Sequence, residues 1–217
     1  MDTVWNFLSK GGIIMIPLFL CSLVGLAIVI EKLISLRRRV VFIPEVISLI
    51  ENISSPKDIA LVLTVCEKYR GPLPNIVRSA LQNRHLSREE LNELILDQGR
   101  QEIRTLERGL VALETVAAIS PLLGLLGTVI GILKVFEVIS ELGVGQATAL
   151  SGGISEALIT TIVGLAIGIP AVVAYNYFTN RAENFVLDIE KYTTSVILKL
   201  RSFRAQEADY AEVLRAN

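Results

Sequence analysis

Ser155-Glu156-Ala157-Leu158-Ile159-Thr160-Thr161-Ile162-Val163-Gly164-Leu165-Ala166-Ile167-Gly168-Ile169-Pro170 opens an uncharged run of 24 residues, Ala157 to Asn180. A hydrocarbon core is crossed by about 20 residues of helix, so the run is long enough to span. At helical pitch Gly153, Glu156, Ala157, Thr160, Thr161, Gly164 and Gly168 share an arc of roughly 140°. Leu158, Ile159, Ile162, Leu165 and Ile169 oppose them. The span therefore has one apolar face and one small, hydroxylated face that carries a carboxyl group. A carboxylate at the membrane is expensive, which makes Glu156 a candidate for an ion or proton path. Its plainer reading is an acid favoured by the dipole at a helix N-terminus.

A second uncharged run, Thr115 to Leu133, repeats the design over 19 residues. Ala117, Ser120, Pro121, Gly124, Gly127, Thr128 and Gly131 fall within roughly 120° of one another, against Leu122, Leu125, Leu126, Val129 and Leu133. Threonine hydroxyls both donate and accept, so a ring of them can hold water. They can also bond back to their own helix carbonyls. The small stripes built on Gly124, Gly127, Gly131, Gly164, Gly168, Pro121 and Pro170 equally suit close helix packing, with or without a pore.

The first uncharged run, Gly11 to Ile30, ends at Glu31-Lys32 and then Arg37-Arg38-Arg39, a headgroup and topology anchor. The spacing predicts an all-α membrane protein with spans at 11–35, 114–139 and 155–180. An amphipathic N-terminus of residues 1–10 puts Trp5 and Phe7 at headgroup level. Residues 36–113 read as a polar helical domain, with helix starts at Pro44 and Pro56, a turn at Gly71-Pro72-Leu73-Pro74 and a capping box at Ser87-Arg88-Glu89-Glu90. From that box to about Ile139 the pattern predicts one continuous helix, because Ile103, Leu106, Leu110 and Leu113 keep a 3-4-3 spacing. At 1.5 Å per residue that helix is on the order of 75 Å long, far more than the about 30 Å of a bilayer. The excess reads as a stalk. Residues 140–154 read as a connector broken by glycines. Residues 181–217 read as a second stalk that continues the third span, and the chain from Ala205 reads as frayed.

Thirteen Lys and Arg lie between Glu31 and Glu114 and six from Arg181 onward, against only Lys10 and Lys134 elsewhere. The positive-inside rule then puts the N-terminus and the 140–154 connector outside, and the 36–113 domain and C-terminus inside. The chain has 217 residues, is 52% hydrophobic and carries a net charge of -1. Its mean hydropathy is +0.55, too apolar for an ordinary soluble domain. Near-zero charge argues against nucleic acid. Cys21 and Cys66 make no disulfide framework. His85 is the only histidine, no metal or cofactor motif occurs, and no nucleophile–base set suggests an enzyme. Three spans without an inverted repeat disfavour a permease.

Pro121-Leu122-Leu123-Gly124-Leu125-Leu126-Gly127-Thr128-Val129-Ile130-Gly131 resembles the ExbB/TolQ/MotA family of proton-channel motor subunits. Gly153-Ile154-Ser155-Glu156-Ala157-Leu158-Ile159-Thr160-Thr161 and the run from Gly164 through Ile169-Pro170 to Asn176 continue the match. The resemblance implies a ring, typically a pentamer, in the inner membrane, where the charge asymmetry makes the N-terminus periplasmic and the C-terminus cytoplasmic. It implies a dimer of one-span ExbD/TolR-like proteins within the ring, whose helix supplies an aspartate, and motion passed to a periplasmic or outer-membrane partner. It places Thr128 and Thr161 on the pore, sets its glutamate on Glu156 and favours H⁺ as the ion; the shared arc adds Thr160 to the pore-lining candidates. Three spans favour the ExbB or TolQ branch. A non-conducting scaffold is the rival reading.

Overall fold

The computed structural model describes residues 11–55, 58–143 and 147–216, and among them every regular element is helical. The predicted amphipathic stretch 1–10 and the helix start at Pro56 lie outside the described residues. In order the elements are α1 Met15–Ser35, α2 Arg38–Val41, α3 Pro44–Asn52, α4 Asp58–Lys68, α5 Pro72–Gln82, α6 Arg88–Glu107, α7 Leu110–Leu142 and α8 Ala147–Ala216. Three stretches, Met15–Ser35, Glu89–Glu141 and Ser151–Phe203, are long and apolar enough to cross a membrane. Large apolar side chains such as Phe19, Leu122, Phe136 and Ile169 stand more than three-fifths exposed along them, as lipid-facing residues do.

The elements group into two compact units. One comprises Met1–Lys32 and Gly109–Thr179, the other Leu33–Arg108 and Asn180–Asn217. In the first, Pro17 is the third residue of α1, where its missing N–H interrupts no helical hydrogen bond. Pro121 and Pro170 sit inside α7 and α8.

The second unit is built on side-chain packing. Helix α3 packs on α4, α4 on α5 and α5 on α6. Leu73, Val77, Ala80 and Leu81 of α5 are fully buried, with Val46, Ile50 and Val62 beside them in the core. The α8 segment of this unit adds Phe185, whose ring meets Phe42 edge-on with centroids 5.3 Å apart. Arg181 Nε donates to Leu36 O at 2.6 Å. Lys199 Nζ donates to Ile50 O at 2.8 Å and Glu51 O at 2.6 Å, satisfying carbonyls at the end of α3 that have no helical partner. The capping box forms: Glu90 N donates to Ser87 Oγ at 3.3 Å and Ser87 N to Glu90 Oε2 at 3.0 Å. The Asp58 carboxylate accepts from Ser54 N and Ser55 N, and these bonds hold its pKa below the usual value. Burial pushes the Cys66 thiol up to about 11, against a smaller opposing pull from Arg78.

Four expectations need correction. The predicted continuous helix is interrupted at Arg108 and Gly109. Arg108 is extended (φ -53°, ψ 129°) and Gly109 left-handed (φ 87°), so α6 ends and α7 begins at Leu110. The left-handed conformation is open to glycine without steric cost. The connector is shorter than 140–154, because α7 runs to Leu142 and α8 starts at Ala147. Pro72-Leu73-Pro74 is the first turn of α5 rather than a free turn. The backbone from Ala205 to Ala216 is helical rather than frayed.

Candidate functional site

Helices α7 and α8 meet along their small stripes. A Cβ built on Gly164 would lie 2.6 Å from Ser120 O and 3.0 Å from Gly124 Cα. One on Gly124 would lie 2.9 Å from Thr160 O, and one on Gly131 2.7 Å from Gly153 O. Gly168 faces Pro121, whose Cγ would stand 2.6 Å from an added Cβ, and Gly127 faces the Thr160 side chain. The neighbouring atoms are largely backbone, which cannot swing aside. The two helices touch at a separation only glycine permits, as expected where lipid removes the hydrophobic drive for helix association.

The hydroxyls follow the same seam. Thr161 is half-buried, and its Oγ1 donates across the pair to Gly124 O at 3.2 Å. Thr128, also half-buried, donates to Leu125 O of its own helix at 2.6 Å. Ser120 is fully buried and donates to Val116 O at 2.6 Å. Thr160 is fully buried against Gly127, its Oγ1 in reach of Ala157 O at 2.9 Å and Glu156 O at 3.1 Å. The sequence reading placed Thr160 with the pore residues. The structure instead packs it inside the helix pair, because one residue is a step of about 100° and turns it from the open edge to the seam. Pro170 is exposed and edges an apolar groove of 260 Å³ shared with Gly25, Val116 and Ala171.

At the α8 end of the seam sits Glu156. Its side chain is 15% exposed, and both carboxylate oxygens accept from Lys134 Nζ of α7, at 2.6 and 2.8 Å. The backbone at Gly12 presses on the same carboxylate, leaving no room there for a Cβ. Three segments thus converge on one acid. Among the described residues no group of acids, cysteines and histidine could hold a metal ion.

The same segment carries the likeness to other proteins. Residues 68–191 match the model of the MotA/TolQ/ExbB proton channel family. This chain belongs to that family. It is 34% identical to a biopolymer transport protein ExbB homologue of Methanothermobacter thermautotrophicus over 191 residues, 87% of this chain and 67% of that protein. It is 30% identical to an ExbB-like protein of Synechocystis over 93% of this chain and 98% of that one. It is 33% identical to the biopolymer transport protein ExbB of Neisseria gonorrhoeae over 62% and 69%. As a MotA/TolQ/ExbB member with three helices able to span, the chain is a multi-pass membrane protein.

In this family member two charged residues escaped the sequence reading. Lys134 was counted only for topology. Its signal was that it lies just past the second uncharged run, as Glu156 lies just before the third, and helices joined by a short connector bring such positions together. Lys32 is 1% exposed, with Glu31 Oε1 at 3.6 Å. It read as the polar end of the first span, and nothing in its spacing signalled burial.

Proposed function

We propose that this chain is an inner-membrane proton-channel subunit that converts proton-motive force into mechanical work energising an envelope process such as outer-membrane transport. It forms a ring, typically a pentamer, around a dimer of an ExbD/TolR-like one-span protein. Residues 36–113 form a cytoplasmic helical domain and 181–217 a cytoplasmic C-terminal helix and tail, the second and third spans extend into a cytoplasmic helical stalk, and the N-terminus is periplasmic. The observation that carries the reading is the Thr161 hydroxyl. It lies at the edge of a glycine-locked seam, part-exposed, in a span whose neighbours on the outer face are leucine and isoleucine. Thr128 shares that setting, and Glu156 marks the periplasmic mouth. The uncharged runs of α7 and α8 hold no acid of their own, so the relay acid comes from the partner. Each proton crossing the membrane releases about 2.3 kcal/mol per 100 mV, the drive available per step.

The rival is a scaffold without conduction, favoured by the same glycine contacts, which account for the small stripes without a pore. Co-expression with an ExbD/TolR-like one-span protein, followed by native mass measurement and proton-uptake assays in vesicles, separates them. The proposal expects a five-to-two complex that takes up protons. A ring or dimer that binds no one-span partner and leaks no protons supports the scaffold.

A further inference from the structure

Lys134 is the inference the structure carries furthest, and it rests on the proton-channel reading above. A carboxylate that is 15% exposed beside hydrocarbon needs a counter-charge, a proton or a bound cation. Here the counter-charge is built in. Lys134 Nζ reaches both oxygens, at 2.6 and 2.8 Å, from a side chain that is 48% exposed. Gly12 closes a further side. The carboxylate is held by three segments and neutralised by one ammonium. We propose that Lys134 is a positioning and selectivity residue. It occupies the place a sodium ion would take on Glu156, so that the mouth of the path holds no metal cation and passes protons.

The physical reason is that sodium and an ammonium compete for the same lone pairs. Two oxygens fixed side by side suit either one. While Lys134 sits there, a sodium ion finds a neutral pair and would have to be stripped of water for no charge gain. Remove the ammonium and Glu156 becomes a partly buried oxygen site of net charge minus one.

The test has an arm that needs no flux. In detergent, the melting temperature of the purified full chain is compared in sodium chloride and in choline chloride at equal ionic strength. Wild type and Lys134→Arg are expected to melt alike in both salts. Lys134→Met is expected to melt about 3 °C higher in sodium, the shift that a roughly ten-times-saturating ligand gives a chain of this size. Adding Glu156→Gln to Lys134→Met is expected to erase the difference. If Lys134→Met does not purify folded, Lys134→Gln, which keeps a polar head, takes its place. In vesicles with the one-span partner, sodium is expected to slow proton uptake by Lys134→Met by about tenfold, in line with the occupancy that shift implies, and to leave wild type unchanged. No sodium-specific shift in either variant, or a shift that survives Glu156→Gln, overturns the inference. Absence of proton uptake by wild type overturns the channel reading instead, and the melting arm still reports on Lys134.

Discussion

Gly164 and Leu81 mark the difference between the two units. At Gly164 the nearest approach is backbone to backbone, with Ser120 O 2.6 Å from where a Cβ would stand. At Leu81 a full side chain fills the core, with no exposed surface. In water, burying large aliphatic groups drives association at about 25 cal/mol per Å², so the second unit uses Leu, Ile and Val. In lipid that drive is absent between helices, and close backbone contact with hydrogen bonds replaces it. The same residue type has opposite value in the two settings. Gly99 on α6 has nothing within 4 Å of its missing Cβ, whereas Gly124, Gly131 and Gly164 have no room for one.

The contrast breaks most severely at Gly164. Replacing it with Leu must part α7 from α8, a loss of about 3 kcal/mol or more, while Gly99→Leu leaves the fold in place. Size-exclusion profiles and melts of the two variants in detergent check this. An equal effect at both sites erases the distinction. Leu81→Ala follows, at about 3 kcal/mol from lost burial and the cavity left behind, read from thermal or urea melts. Its signature is loss of the second unit's protease resistance with the spans unaffected.

Cys66 sharpens the comparison from the side of solvent access. With its thiol pushed up to about 11, it holds about a hundredfold less thiolate than an ordinary cysteine at neutral pH. A thiol reagent should modify it slowly in the folded chain and fast once the second unit is unfolded. The folded thiol keeps its proton to a higher pH than the unfolded one. Its contribution to stability is therefore complete below the ordinary thiol range and falls as pH rises from there towards about 11. Unchanged labelling on unfolding would contradict this. The smallest effect is at the α6 cap, where Ser87→Ala removes one of two reciprocal bonds and lowers stability by about 1 kcal/mol in a melt.

The spans and the small stripes were legible because they depend on composition and on the 3.6-residue period alone. The capping box was legible because both of its bonds are local. The break at Gly109 was not, since the apolar spacing from Ile103 to Leu113 runs through it and a lone glycine is tolerated in a helix. The early start of α8 was hidden by Gly152 and Gly153, which read as breakers in water. In the structure Gly153 packs against Val135 and Gly131. The arc that held Thr160 and Thr161 together could not say which one the partner helix covers. That depends on the register of α7 against α8, as does the meeting of Lys134 with Glu156, residues 22 apart in sequence.

The central claim is that the Thr161 hydroxyl serves a proton path. Its direct measure is proton uptake by vesicles holding the complex, compared for Thr161→Ser, which keeps the hydroxyl, and Thr161→Val, which keeps the shape without it. The account predicts uptake near wild type in Thr161→Ser and loss of at least about tenfold in Thr161→Val. Equal uptake by the two variants, both assembled with the partner, would contradict it.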